Sequence, residues 1–197
     1  MNGVERAVDW RAPPHAVITG PPCAGKTTIV DALAARGYGV IPEIARRVAR
    51  RVIDRHGGFT REARRDMSRQ IVIAGLEVES QLLRERGYVL DRCLADNVAF
   101  QRLHRLPTFG PPAKALAGRY RLVLMFEGLP FIDDDERDPQ DAVEQDRIAA
   151  AIGKAYREAG LQPLFIPRCG VAERLALVVD ALTHAAIRPT HQELRVL

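Results

Sequence analysis

The stretch GPPCAGKTT, Gly20 to Thr28, follows an apolar, β-branched run, His15-Ala16-Val17-Ile18-Thr19, and precedes a helical one, TTIVDALAARG, that stops at Gly37. Its spacing is G-x-x-x-x-G-K-[ST]. Glycines, one lysine and a hydroxyl so placed between a strand and a helix form a cradle for the phosphates of a nucleoside triphosphate. Gly20 and Gly25 let the chain turn tightly around Pro21, Pro22, Cys23 and Ala24, so that successive N–H groups face a β-phosphate and the following helix adds its positive end. Lys26 reaches the β- and γ-phosphates, and Thr27 is placed to ligate the magnesium ion that bridges them. Thr28 is placed for the α-phosphate. The plain alternative is a Gly/Pro-rich connecting turn. The helical spacing of Ile29, Val30, Leu33 and Ala34 on one side and the strand on the other weigh against it. Cys23 reads as a filler of the loop, because nothing nearby marks it as a nucleophile.

With 197 residues, the chain has room for one α/β domain with a proper core, and residues 1–197 are read as that single domain. The net charge of +4, from 29 basic and 25 acidic residues, suits a handler of polyphosphates and not a nucleic-acid binder; no long basic tail exists. No apolar run approaches the roughly 18 to 20 residues that a membrane crossing needs, and MNGVERAVDW lacks the order of a secretory signal. The expectation is a soluble, cytoplasmic protein, monomer or homodimer, with no membrane or nucleic-acid partner. Cys23, Cys93 and Cys169 are odd in number and widely spaced, which argues against both a disulfide framework and a zinc site.

Five short apolar runs read as parallel strands: 15–19, 37–43, 87–92, 121–130 and 161–167. Helical spans separate them: the loop-following helix, a stretch EIARRVARRVIDRHGG, a long helix from about Thr60 to Arg86, a helix ending in IGKAYREAG, and a last one over about Val171 to Ala186. Strands alternating with helices mean βαβ units and a parallel sheet covered on both faces.

Absences narrow the class. A guanine-reading Asn-Lys-x-Asp is missing, since neither Asn2 nor Asn97 precedes a lysine. The third strand reads Val89-Leu90-Asp91-Arg92, without the Asp-Glu usual in motor-type and ring ATPases, and no Leu-Ser-Gly-Gly is present. The Asp-Arg pair instead resembles that of P-loop nucleoside and nucleotide kinases. VITGPPCAGKTTIVDALAARGYGVIPEIARRV together with VLDRCLADNVAF is most similar to the small kinase-like ATP-binding domains typified by the nicotinamide riboside kinase domain, although Glu127-Gly128 departs from the pair common in such fourth strands. The resemblance implies a three-layer P-loop NTPase fold of the nucleoside/nucleotide-kinase kind, ATP as donor, Mg2+ as cofactor and a small hydroxylated acceptor.

Ligands of an open parallel sheet collect at the carboxyl ends of its strands, where Gly20, Glu43, Asp91 and Pro130 fall. Asp91 is read as an ionised carboxylate that either serves the metal through water or from behind its ligands, or accepts the acceptor's proton; capping the following turn is the structural alternative. Arg92 is either a phosphate clamp or the partner of Asp91. Glu43 and Arg46, one helical turn apart, are candidate acceptor contacts, with a first-turn Glu favoured by the helix dipole as the plainer reading of Glu43. The run Arg46, Arg47, Arg50, Arg51, Arg55 reads as the solvated face of an amphipathic helix, since no aromatics interleave. Residues 131–147 are the lid candidate, with Arg137 as its catalytic arginine, Arg147 on the following helix, and a plain acidic surface loop as the alternative. Metal binding by Asp133–Asp135 is set aside, because consecutive carboxylates diverge. His104 reads as structural or exposed. The function expected is transfer of the ATP γ-phosphate to a small metabolite, nucleoside-like or a natural product; a nucleoside or thiamine-type triphosphate hydrolase and an ATP-gated regulator are the alternatives.

Overall fold

The computed structural model describes residues 13–82, 86–130 and 142–190. Its strands are β1 (His15–Thr19), β2 (Gly39–Ile41), β3 (Tyr88–Asp91), β4 (Leu122–Phe126) and β5 (Leu164–Ile166). The helices are α1 (Lys26–Ala34), α2 (Ile44–His56), α3 (Arg61–Gln81), α4 (Leu94–Leu103), α5 (Ala142–Glu158) and α6 (Val171–His184). All pairings are parallel, in the order β2-β3-β1-β4-β5. β1 therefore lies at the centre, with Ile18 opposite Asp91 on β3 and Leu124 on β4.

Successive side chains of a strand point to opposite faces, and the sheet feeds two cores accordingly. Val17, Leu90 and Val123 join α4 and α5 residues such as Leu94, Ile148 and Ile152. Ala16, Ile18, Val89, Leu122 and Leu124 join Ile29, Leu33, Val178 and Leu182 of α1 and α6 on the other side. This is the three-layer P-loop NTPase architecture, helices on both faces of a five-stranded parallel sheet. A third, smaller cluster packs Val48 and Val52 of α2 on Ala63 of α3.

Several boundaries differ from the sequence pattern, each for a local reason. β2 ends at Ile41 because Pro42 has no N–H for the ladder. Pro163 and Pro167 confine β5 to three residues in the same way. The helix expected to run from Thr60 to Arg86 is capped by the Thr60 hydroxyl, which accepts from the Ala63 N–H at 3.0 Å, and gives way at Leu82, whose backbone is extended. A 3-10 turn over Ala113–Leu116, absent from the sequence reading, leads into β4.

Candidate functional site

The loop between β1 and α1 is held by its carbonyls. Pro22 O accepts from Gln145 Nε2 of α5 at 3.0 Å, Cys23 O from the Leu129 N–H at 3.1 Å, and Ala24 O from Arg174 Nη1 of α6 at 2.6 Å. In a planar trans peptide the C=O of one residue and the N–H of the next point in opposite directions. Holding those three carbonyls from outside thus turns the N–H groups of Cys23, Ala24 and Gly25 away from these partners. Arg174 is buried, donates also to Pro167 O and stacks its guanidinium over Phe126. Gly25 takes a left-handed backbone (φ 71°) as the N-cap of α1, and Cys23 does so without being glycine (φ 56°). Gly20, at φ 141°, allows the closest approach: a Cβ there would sit 2.5 Å from Phe126 O.

Lys26 is 6% exposed, and its Nζ donates back to Pro21 O at 3.1 Å. Burial, aided by the Arg92 charge, pulls its pKa down to about 8. Asp91 at the end of β3 is 4% exposed, and its Oδ1 has no hydrogen-bond partner. Burial pushes its pKa up to about 6, against the opposing pull of Lys26. Arg92 takes a left-handed backbone (φ 68°) and does not pair with Asp91 through a hydrogen bond; its Nε donates to Glu43 Oε1 at 2.9 Å and its Nη1 to Asp96 Oδ1 at 3.0 Å. The two carboxylates hold the guanidinium ionised in spite of its burial. Burial acts to raise the Glu43 pKa, but the charges of Arg92, Lys26 and Arg46 prevail and leave it below the ordinary value.

Asp96 was not singled out in the sequence. It is 2% exposed and accepts from the Thr19 hydroxyl, from Arg92, from the Cys93 N–H at 3.0 Å and from the Tyr156 hydroxyl at 2.6 Å. Four donors thus meet on one carboxylate. The only signal in the sequence is an acidic residue three positions after Cys93, the spacing of a capping box, which is what it forms with that N-cap.

These groups line one cavity of about 570 Å³ that runs from Pro22–Thr28 past Glu43, Arg46, Asp91 and Arg92 to a recess between α2, α3 and α4. Gly20 and Pro21 are not part of its lining. His104, expected to be structural or exposed, is half-buried, stacks on Phe100 and does line it. Arg46, Arg47, Arg50 and Arg51 are exposed and border a second hollow of about 490 Å³ with Thr27 and Asp91, while Val48 and Val52 of the same helix are buried. Arg55 pairs with Asp66 at 3.2 Å. Arg147 is exposed on α5 and pairs with Glu144. Arg137, Asp133–Asp135 and the rest of 131–141 lie outside the described residues. Glu127 accepts from the Arg168 N–H and points toward the β5 end of the sheet. Among the described residues no group of three His, Cys, Asp or Glu side chains could by itself hold a metal ion, and no helix is long and apolar enough to cross a membrane.

The sheet order, the G-x-x-x-x-G-K-T loop at the end of its central strand and the Asp-Arg pair at the end of the neighbouring strand define a P-loop protein with the fold of small kinases. The family model described as AAA domain matches residues 15–174, and the chain belongs to that family. The missing Asp-Glu therefore does not place the chain outside a family of that description; Arg92 simply stands where that Glu would. Among solved structures it is similar to the NadR protein in complex with NR, at 16% identity and a TM-score of 0.60 over 93% of this chain and 52% of that one. It thus spans about half the length of that NadR chain. It is also similar to deoxyadenosine kinase from M. mycoides (14% identity, TM-score 0.59, 86% of this chain and 98% of that one). Thymidylate kinase from Candida albicans follows at 13% identity and a TM-score of 0.50, with 87% and 92% covered. At these identities the likeness is one of fold. No curated protein matches the chain.

Proposed function

We propose that the protein is an ATP-dependent phosphotransferase that moves the γ-phosphoryl group of ATP to a hydroxyl of a small molecule. The observation that carries this reading is the shared cavity: it is lined by the loop with Lys26 and Thr27, by Asp91 and Glu43, and by the residues of a recess beyond them with room for an acceptor. A hydrolase needs room only for water at that place.

A magnesium ion fits the donors present, because Asp91 Oδ1 is buried without a partner and the Thr27 hydroxyl borders the same space. Thr27 directly and Asp91 through water would hold it, and it would neutralise charge on the β- and γ-phosphates. Lys26 exchanges its bond to Pro21 O for phosphate oxygens. The N–H groups of residues 23–25 and the start of α1 complete the cradle. Glu43, steadied by Arg92, accepts the hydrogen bond of the acceptor hydroxyl. As the acceptor oxygen bonds to Pγ, the bond from Pγ to the bridging oxygen breaks, its electron pair leaves with ADP, and the hydroxyl proton passes to Glu43. Phosphoryl transfer asks for position and charge neutralisation more than for a strong base, so an ion-paired Glu43 suffices. Arg92 steadies Glu43 and keeps positive charge beside the transferred group. Arg137 belongs to this reading as a further charge for the phosphates, and Arg46 as a contact for the acceptor.

Incubation with Mg–ATP and a panel of hydroxylated metabolites should give ADP in step with a phosphorylated product. ADP with free phosphate, in equal amounts and with every acceptor intact, would sink the transfer reading and leave a hydrolase. No turnover together with tight ATP binding would leave a nucleotide-gated regulator.

A further inference from the structure

Past Asp91 the cavity continues between α2, α3 and α4, and its walls there are Ile44, Met67, Ile71, Val78, Leu94 and Phe100. Of the polar side chains along it, Gln101, Asn97, Ser68 and Glu79 are hydrogen-bonded to other groups of the protein. Gln101 gives both amide hydrogens, to Ser68 Oγ and Phe109 O at 3.0 Å each, and its carbonyl accepts from the Phe109 N–H at 3.3 Å. Asn97 and Ser68 bond each other, through Ser68 Oγ to Asn97 Oδ1 at 3.3 Å and Asn97 Nδ2 to Ser68 O at 3.4 Å. Glu79 accepts from Arg119 at 2.7 Å and from the Tyr120 hydroxyl at 2.7 Å. The cationic lining groups Arg46 and Arg64 are exposed and half-exposed. A site that selects a base or sugar does so with buried polar edges left for the ligand, because those edges go unpaired when the wrong molecule enters. Here Gln101 spends its whole amide on the protein, and Asn97 its carbonyl and one N–H. The apolar side chains Ile44, Met67, Ile71 and Phe100 are only half-buried although they face inward, so the dry contact they lack is what an apolar ligand would supply.

We propose that the acceptor is an apolar alcohol or phenol, its hydroxyl at Glu43 and its hydrocarbon or aromatic skeleton in the recess between α2, α3 and α4, and not a nucleoside. This rests on the phosphotransferase reading and names its substrate class; the transfer step is the one written above, the acceptor oxygen being that of the alcohol or phenol. Two measurements test it. Binding of 2-naphthol to the whole protein is followed by its own fluorescence, in wild type and in Ile71→Asp. Formation of ADP and of the phosphorylated acceptor from Mg–ATP is followed with apolar alcohols and phenols in one set and nucleosides in the other. Saturable 2-naphthol binding, weakened about tenfold or more by Ile71→Asp as expected for one lost apolar contact, and phosphorylated product formed in step with ADP from the apolar set support the proposal. Binding of a non-hydrolysable ATP analogue with Mg2+ serves as the check of folding, and Met67→Gln replaces Ile71→Asp where that check fails. Phosphorylated product from nucleosides alone overturns the acceptor class while phosphotransfer stands, and absence of 2-naphthol binding overturns the acceptor class by itself. 2-Naphthol binding with no phosphorylated product from either set keeps the recess as an apolar ligand site and removes the phosphotransferase reading.

Discussion

Lys26 and Asp91 sit buried within one cavity with opposite charges and no direct bond recorded between them, and each bears a cost that a bound Mg–nucleotide would relieve. For Lys26 the folded pKa of about 8 lies below the ordinary value of 10.5, so the cost of the buried ammonium is present below pH 8 and fades as pH rises toward the unfolded pKa. ATP binds the ammonium form. Its affinity should hold steady up to pH 8 and then fall, approaching tenfold per pH unit, while Lys26→Ala binds ATP weakly at every pH and abolishes transfer. The same variant should melt at or above the wild-type temperature, since it removes a buried charge and not a core contact. Titration calorimetry between pH 7 and 9.5 beside a melting curve checks both halves, and a wild-type affinity that stays flat to pH 9.5 would count against phosphate contact by Lys26. For Asp91 the sign is the reverse of a paired carboxylate. Its folded pKa of about 6 lies above the ordinary 3.8, so its burial costs nothing below about pH 4 and roughly 2 to 3 kcal/mol above pH 6. Asp91→Asn should therefore stabilise the metal-free protein progressively between pH 4 and 7 while depressing turnover. A melting difference between the two proteins that does not grow over that range would mean that Asp91 is paired in solution.

At the scale of elements, the site is a junction in which α4, α5 and α6 hold what β1 and β3 present. Asp96 in the first turn of α4 joins the ends of β1 and β3 to Tyr156 of α5 and to Arg92, and Arg174 of α6 clamps Ala24 and Pro167. Removing one partner of a buried ionic network leaves the others desolvated and unpaired, so Asp96→Ala should cost about 3 to 5 kcal/mol in denaturant unfolding. Arg174→Ala should cost about 1 to 3 kcal/mol by stranding buried carbonyls, and should weaken ATP binding more than Asp91→Asn does because it frees the loop itself. An Arg174→Ala protein with wild-type ATP affinity would show that the loop holds its shape unaided. Such clamps explain what could be read in the sequence. The loop, α1 and the five strands are local patterns, written within windows of ten residues or fewer, and parallel pairing followed from the helices between them. That Asp91 would come to the loop followed from the carboxyl-end rule. Gln145, Tyr156 and Arg174 carry no such mark, and Asp96 only its capping-box spacing after Cys93: in LADN, VEQD, AYRE and AERL they stand as ordinary helical residues, and the separation is 60 positions for Asp96 with Tyr156 and 150 for Arg174 with Ala24. The sequence offered Asp91 or a phosphate as the partner of Arg92, whereas the guanidinium bonds Glu43, 49 positions away, and Asp96; a contact across that separation leaves no local mark.

Over the whole molecule, the order β2-β3-β1-β4-β5 puts the crevice above β1 and β3, and the elements around it are contacted by a ligand to different degrees. A nucleotide with Mg2+ at the proposed place touches the 23–28 loop, the start of α1 and the end of β3, and through Glu43 the start of α2. The second half of α6, which packs Val178 and Leu182 into the core on the far face of the sheet, has no part in the crevice. Ligand binding suppresses local opening where contacts are made and lowers global unfolding everywhere by the same amount. Amide exchange under native conditions separates the two. A non-hydrolysable ATP analogue with Mg2+ should slow exchange most at residues 23–29 and 91–93, next at 43–47, and should leave locally opening amides at the α6 C-terminus, residues 181–186, unchanged. Lys26→Ala should show none of these changes at the same ligand concentration. Protection centred on the arginine face of α2 in place of the 23–29 loop would put the nucleotide in the second hollow, beside Arg47, Arg50 and Arg51, and overturn the orientation on which the acceptor recess depends.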